Sequence, residues 1–200
     1  MPTLRPITNR AEREAYHAFR YRIYADGQQR GFLGKARGSD IDEFDAAALH
    51  LGWFEGAELV GCARILRPKQ TYDPLHFIRN IVDEELHSAA LAMLAHAKRN
   101  GETLHEVSRL CLAPEYRSPT NVRQLVLEII ATAHRYGRDH CLFTCDKPHA
   151  PFWCRMGFSL VPGFAGFQNP KSEYSSYLFR GNNSELMERH RSELQLIGLA

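Results

Sequence analysis

Apolar and polar residues follow two periods along this chain, and these periods predict strands and helices in turn. The clearest strand is Leu104–Leu112, which ends at Ala113-Pro114. A helix follows it, because apolar residues recur there at three- and four-residue spacing, at Val122, Leu125, Val126, Ile129, Ile130 and Ala133. Alternation and turn residues predict further strands at 3–7, 50–54, 59–66, 141–145, 159–161 and 174–179.

Helical spacing predicts a first helix that is capped by Thr8 or Asn9 and ends near Tyr24. Its apolar stripe is predicted at Ala11, Ala15, Tyr16, Phe19 and Ile23, with Arg20 beside it. Other helices are predicted at 83–99, in the segment that ends at Gly157-Phe158, and from Ser184 onward. The glycine-rich stretch 25–40 shows neither period and predicts a long flexible loop.

This order of elements predicts the α/β (α+β) class, with a mixed central β-sheet and helices on both faces. Two hundred residues suit one domain spanning 1–200. A net charge of +2 without long basic runs excludes an obvious nucleic-acid partner. Five cysteines without a CxxC pair, no signal peptide and no run of 18 apolar residues favour a cytoplasmic protein without a membrane span.

Two ionisable side chains, Glu106 and Arg109, interrupt the central strand. A buried strand rarely carries such groups unless they are paired or used in chemistry. Glu106 has the character of a general base, and an ion pair with Arg109 or Arg64 is an equally good interpretation. Period-two alternation would put Glu106 and Arg109 on opposite faces, so we predict a β-bulge near Val107 or Ser108 that brings them together.

Three aspartates, Asp40, Asp42 and Asp45, form an acidic cluster before the second strand. The stretch lacks the glycine and the further oxygen ligands of a calcium loop, so we discount a metal. Two interpretations stay open: a pocket for a cationic amine or sulfonium, and an ion-pair network with Arg20 and Arg64. The two can coexist. The ten histidines show no HxH or HExxH spacing, which argues against zinc.

The segment from Arg117 to Val122 forms the turn into the central helix. Backbone N–H groups at such a turn suit a pyrophosphate or a phosphopantetheine arm. Any helix needs a cap, and Thr120 or Asn121 is predicted to provide one here, so the turn alone is weak evidence.

Together these residues resemble the acyl-homoserine-lactone synthases and the related N-acyl amino acid synthases of the GNAT acyltransferase superfamily. The resemblance covers roughly residues 16–117, about half of the chain. The matching positions are Arg20 with Tyr24, Asp40 with Asp42 and Asp45, Val60-Gly61 with Arg64, and Glu106 with Ser108 and Arg109.

The resemblance implies a GNAT-like fold and transfer of an acyl chain from an acyl thioester to an amine, without a tightly bound cofactor. The donor would be acyl-CoA or an acyl carrier protein, and the acceptor S-adenosylmethionine or an amino acid. Glu106, Ser108 and Arg109 would be catalytic. The acceptor would contact Arg20, Tyr24, Asp42, Asp45 and Arg64, and the donor would contact Leu110, Leu112, Arg117, Thr120 and Asn121.

The sequence departs from the superfamily pattern in four places. Thr120 and Val122 replace glycines of the pyrophosphate turn, which weakens the case for acetyl-CoA and favours a carrier protein or a long acyl donor. Trp153 stands where a tyrosine acid is usual, and the RMGF-type segment ending at Phe158 resembles the N-acyl amino acid synthases more than the lactone synthases. The tryptophan usual in the first loop is missing, and Phe32 is its nearest counterpart.

Autoinducer (acyl-homoserine lactone) synthesis, a step in quorum sensing, is therefore the first interpretation, and long-chain N-acyl amino acid synthesis is the second. A CoA-dependent acetyltransferase and a non-catalytic module that binds an acyl ligand are further alternatives. The missing glycines argue against the acetyltransferase. The intact set of Glu106 and the aspartates argues against the non-catalytic module.

Overall fold

A computed structural model describes residues 1–26, 33, 38–66 and 75–199. The predicted loop at 25–40 falls largely outside these ranges, and so does Phe32. The described ranges nevertheless include all three aspartates of the acidic cluster and the whole of the central strand and helix.

Seven strands form one mixed sheet in the order β1-β2-β3-β4-β5-β7-β6. Their bounds are Thr3–Pro6 (β1), Leu49–Glu55 (β2), Glu58–Leu66 (β3), Leu104–Leu112 (β4), His140–Asp146 (β5), Ser159–Phe167 (β6) and Ser176–Asn182 (β7). Strands β4 and β5 pair in parallel, and every other pair is antiparallel. The predicted mixed sheet is confirmed, and so is the hairpin of β2 and β3.

Helices pack on both faces of this sheet, as predicted. Their bounds are Arg10–Ala25 (α1), Glu84–Arg99 (α2), Pro119–Arg135 (α3), Ala150–Met156 (α4), Asn183–Arg189 (α5) and Arg191–Leu196 (α6). Asn9 caps α1 by accepting a hydrogen bond from the Glu12 N–H. Helices α1 and α2 cover one face, with Cys62, Cys111 and Leu104, and α3 covers the other, with Leu51, Ile65 and Leu112.

The buried stripe of α1 differs from the prediction. Ala11 and Ala15 are exposed, whereas His17 and Arg20 are buried together with Tyr16, Phe19 and Tyr24. Hydrophobic periodicity missed this face because two of its residues are polar and are buried through hydrogen bonds to Asp40.

Strands β6 and β7 extend beyond their predicted ends. Along β6 every third residue is buried (Val161, Phe164 and Phe167), and Gly163 and Gly166 have positive φ angles. These glycines break the alternation that identifies a strand in sequence, and the pairing with β7 is irregular there. The polar C-terminal segment forms two short helices. In the described ranges no helix is long and apolar enough to cross a membrane.

Candidate active site

The central strand β4 contains a β-bulge. Cys111 lies opposite Cys62 and Ser108 lies opposite Arg64, so β4 has one more residue than β3 in this interval. Arg109 provides the irregularity, with a φ of 54° in the left-handed region. The bulge therefore lies at Arg109, one or two residues after the predicted position. Arg109 itself adopts the left-handed conformation that the extra residue requires.

The bulge puts three polar side chains on the face covered by α1 and α2. Glu106 contacts the segment before α2, Ser108 accepts a hydrogen bond from Arg64, and Arg109 reaches Asp42. Val107 and Leu110 point to the other face, where they pack with α3. The bulge thus brings Glu106, Ser108 and Arg109 to one face of the strand, as predicted.

Arg20 and Arg64 hold the acidic segment against the sheet. Arg20 Nε donates to Asp40 Oδ2 at 2.8 Å, and Arg20 Nη1 donates to Asp45 Oδ1 at 2.8 Å. Arg64 Nη1 donates to Asp42 Oδ1 at 2.6 Å and to Asp45 Oδ1 at 3.0 Å. Both arginine side chains are completely buried. Hydrogen bonds therefore join residues 20, 64 and 40–45, which are far apart in sequence.

Arg109 completes this network from the central strand. Its Nη2 donates to Asp42 Oδ2 at 3.0 Å, and its Nε lies 3.1 Å from Asp40 Oδ2. The Arg64 Nε donates to Ser108 Oγ at 3.1 Å. Ser108 and Arg109, two of the three catalytic residues expected from the sequence, are thus in contact with the expected acceptor-contacting residues.

Three guanidinium groups neutralise three carboxylates in this cluster. Burial works against the charged form of Asp45, but hydrogen bonds and charge from Arg20, with Arg64, hold its pKa well below the usual range. The pKa of Asp42 is also lowered, because the Arg64 charge outweighs burial. The ion-pair network that the sequence allowed is observed, and the pocket for a cationic group stays a prediction. Among the described residues, no group of three or more His, Cys, Asp or Glu could hold a metal ion.

Tyrosine and histidine rings form a layer beneath the network. The Tyr24 ring lies 5.4 Å from Arg109 Cζ, and burial beside Cys111 raises its pKa well above the usual value. His17 Nδ1 lies 2.9 Å from the Asp40 carbonyl oxygen, and His50 Nε2 lies 3.0 Å from that of Asp45. Sequence reasoning found Tyr24 and missed both histidines, which carry no motif spacing.

Glu106 lies in a closed environment of its own. Its Oε2 accepts a hydrogen bond from the Phe77 N–H at 3.2 Å, and its Oε1 lies 3.7 Å from His76 Nδ1. The residue is 1% exposed. Arg64 and Arg109 bond to aspartates instead, and the Glu106 carboxylate lies against Phe77 and His76. Sequence analysis did not find His76, because it lies in a short segment with no periodicity.

The sheet opens at Glu106. Strands β4 and β5 pair at Leu104–His140, His105–Cys141 and Glu106–Leu142, and in the described structure their pairing ends there. Strand β5 continues to Asp146 and pairs with β7 along that length. The two central strands thus diverge from Glu106 onward, which leaves a cleft between them with the carboxylate at its closed end.

The expected donor-contacting residues lie at the end of β4 beyond Glu106, in the turn that follows it and in the first turn of α3. Arg117 Nε donates to the Leu112 carbonyl oxygen at 3.1 Å. Leu112 is buried against α3, and Leu110 is half-buried. The predicted helix cap was wrong. Ser118 caps α3 by accepting from the Asn121 N–H at 3.2 Å, because Pro119 occupies the first position of the helix. Thr120 and Asn121 are inside the first turn.

The family comparison points to one enzyme superfamily. A family model described as the acetyltransferase (GNAT) domain matches residues 19–127, which is more than half of the chain. The matched stretch runs from α1 into α3 and contains the whole ion-pair network and Glu106. Among curated proteins, no sequence matches.

Solved structures share the fold along nearly the whole chain. FeeM, an N-acyl amino acid synthase from uncultured soil microbes, has a TM-score of 0.67 and 18% identity, covering 94% of both chains. The CoA-dependent acyl-homoserine lactone synthase BjaI, solved with SAM and isopentyl-CoA, has a TM-score of 0.64 and 15% identity, covering 94% of this chain and 89% of its own. The AHL synthase LasI has a TM-score of 0.64 and 13% identity, covering 92% and 90%. At such identities the similarity shows the fold alone.

Proposed function

The chain belongs to the GNAT acetyltransferase family and is an acyltransferase, and we propose that it transfers an acyl chain from an acyl thioester to the amine of an amino-acid-type acceptor. One N-acyltransferase domain that spans 1–200 carries out this reaction. The observation that supports the proposal best is the buried carboxylate of Glu106 at the point where β4 and β5 diverge.

Glu106 acts as the general base in this proposal. It takes a proton from the acceptor ammonium group, directly or through a water molecule. The free amine then attacks the thioester carbonyl, the new C–N bond forms, and the C–S bond breaks. The nitrogen loses a second proton, which the leaving thiolate takes up, and the free thiol departs. The product is an amide.

The donor lies in the cleft between the diverging strands. Backbone N–H groups of β4 beyond Glu106 stabilise the oxyanion, an effect worth about 3 kcal/mol per donor in other enzymes. The start of α3, with Arg117, Ser118, Thr120 and Asn121, receives the phosphate end of the pantetheine arm. Because Thr120 and Val122 take the place of glycines, an acyl carrier protein or a long-chain acyl-CoA is the favoured donor.

The acceptor lies beside the ion-pair network. Arg64 Nη2 is buried and has no hydrogen-bond partner in the described ranges, although Arg64 Nε and Nη1 are bonded. This nitrogen is the group that we expect to receive the acceptor carboxylate, next to Ser108. S-adenosylmethionine and free amino acids both carry an α-carboxylate beside the α-amine. With S-adenosylmethionine a lactone-forming step follows, and with an amino acid the reaction ends at the amide.

Acyl-homoserine lactone synthesis is the first candidate, and N-acyl amino acid synthesis is the second. The second is supported by the RMGF-type segment 155–158. It is also supported by the arginine partners of the aspartates, which leave little negative charge for a sulfonium. Each reaction has a structural neighbour: FeeM is an N-acyl amino acid synthase, and BjaI is an acyl-homoserine lactone synthase.

Mass spectrometry of lipid extracts from a bacterial host tests the proposal. The host expresses the wild-type protein, Glu106→Gln, or the exposed control Glu115→Gln. Acyl-homoserine lactones in the wild type and the control, and not in Glu106→Gln, support the first candidate. N-acyl amino acids with the same dependence support the second. No new acylated amine from folded wild-type protein contradicts both.

A further inference from the structure

A buried base has to release its proton after every turnover. The Glu106 side chain is 2% exposed, so the proton that it takes from the acceptor has almost no direct access to water. Leu66 and Leu142 lie on either side of it in the sheet, and neither can accept a proton. A second group in contact with the carboxylate would give this proton a path to bulk water.

The segment before α2 supplies such a group. His76 and Phe77 lie against the two oxygens of the same carboxylate: the Phe77 N–H donates to Oε2 at 3.2 Å, and His76 Nδ1 lies 3.7 Å from Oε1. The His76 side chain is 9% exposed, more than that of Glu106. Imidazole is the side chain best suited to take up and release a proton near neutral pH.

The position of His76 is fixed from two sides. Its carbonyl oxygen accepts from Asn80 Nδ2 at 3.3 Å, within the turn Ile78–Asn80. Its ring meets the Phe44 ring edge to face at a centroid distance of 5.3 Å. Phe44 also lies beneath Arg79, which pairs with Glu43 at the surface. The ring is therefore held next to Glu106 by packing as well as by charge.

We infer that His76 is a positioning residue for Glu106 and the acceptor of its proton. The inference rests on the proposed function. During each turnover Glu106 takes the proton from the acceptor nitrogen. After a small approach of the two side chains, the proton passes from Oε1 to His76 Nδ1, and the imidazolium releases a proton from Nε2 to water. Proton exchange with water then returns the ring to the Nε2–H tautomer, so that Nδ1 can accept again in the next turnover. Glu106 returns to the carboxylate, and no other reactant is consumed.

Enzyme kinetics with two His76 variants test the relay. The donor is octanoyl-CoA or an octanoyl carrier protein, the acceptor is S-adenosylmethionine or a free amino acid, and release of the thiol is followed. His76→Gln keeps a hydrogen-bonding side chain but cannot carry the proton, so kcat falls by about tenfold to 100-fold while KM for the acceptor changes little. The kcat of His76→Ala falls by a similar factor and recovers when imidazole is added. The exposed control His134→Gln keeps wild-type kinetics.

Full kcat in His76→Gln overturns the relay, and so does a His76→Ala variant that imidazole does not rescue. If wild-type protein releases no thiol with any of these substrates, the proposed function fails instead. The pairing is then judged by nuclear magnetic resonance without substrate. The ring nitrogen signals of His76 change in Glu106→Gln and stay constant in Glu115→Gln if the two groups interact. Unchanged signals in both variants overturn the inference.

Discussion

Arg109 and Asp42 are joined by a hydrogen bond of 3.0 Å although they lie 67 positions apart in sequence. The bond exists because Arg109 has a φ of 54°, which turns its side chain to the same face as Ser108. Most non-glycine residues avoid this conformation. The strained backbone is therefore offset by ion pairs to Asp42 and Asp40, and the active-site cluster depends on both.

The bulge predicts an unusual order of stability at position 109. Arg109→Gly and Arg109→Ala both lose the ion pairs, but alanine must also hold the left-handed conformation. We expect Arg109→Gly to be the more stable of the two by about 1 kcal/mol. Urea denaturation measures the difference. Ser108→Gly and Ser108→Ala are the control pair, and there glycine is expected to be the less stable. The same order at both positions would contradict the bulge geometry.

Loss of one arginine from the network is predicted to destabilise the fold strongly. Arg20→Met leaves the buried Asp40 and Asp45 short of a partner, and breaking such a pair costs about 3–5 kcal/mol of the free energy of unfolding. The matched control is Arg10→Met on the same helix, where the ion pair with Glu14 is exposed and no measurable loss is expected. Equal losses in chemical denaturation would show that the network contributes no special stability.

Acid is predicted to destabilise the protein through His105. Burial, and then the nearby charge of Arg138, lower the pKa of His105 from 6.5 to about 3. Between these values the unfolded chain binds a proton that the folded chain does not, so stability falls as the pH decreases through this window. At about pH 5 the loss is roughly 2 kcal/mol.

His105→Leu removes this effect. The stability of His105→Leu minus that of wild type should therefore increase as the pH is lowered from about 7.5 to about 5. Thermal and urea unfolding at each pH measure this difference. His50 and Asp45 titrate in both proteins, so their contributions cancel in the comparison. The exposed control His134→Gln should follow the wild-type curve. A pH dependence that is the same in His105→Leu and wild type would refute the assignment.

The cap of α3 gives a smaller prediction. Ser118→Ala removes the hydrogen bond to the Asn121 N–H and should cost about 1 kcal/mol of the free energy of unfolding. Thr120→Ala changes an exposed residue inside the first turn and should cost clearly less. Paired denaturation curves measure both. A larger loss for Thr120→Ala than for Ser118→Ala would show that Thr120, and not Ser118, caps the helix.

Local patterns identified most of the secondary structure. The strand Leu104–Leu112 was predicted at its observed bounds, because its apolar residues and the following Pro114 give clear local signals. The buried face of α1 was not, since Arg20 and His17 are buried by partners that the helix itself does not contain. The ends of β6 were missed because Gly163 and Gly166 interrupt its alternation.

The β-bulge in the candidate site was predictable from the sequence, and the pairings of the charged side chains around it were not. Regular alternation showed that Glu106 and Arg109 could share a face only with a bulge, and the bulge exists at Arg109. Sequence spacing could not show that the arginines bind aspartates and leave Glu106 to Phe77 and His76. That choice depends on how the segment before α2 packs, which no local pattern encodes.

The central claim is that Glu106 is the base of an acyl transfer to an amine. Purified wild-type protein and Glu106→Gln are given octanoyl-CoA or an octanoyl carrier protein together with S-adenosylmethionine or a free amino acid, and thiol release and acylated product are measured. We expect turnover by the wild type and a loss of about 100-fold or more in Glu106→Gln, with both proteins folded by circular dichroism. Turnover by Glu106→Gln at the wild-type rate would contradict the account.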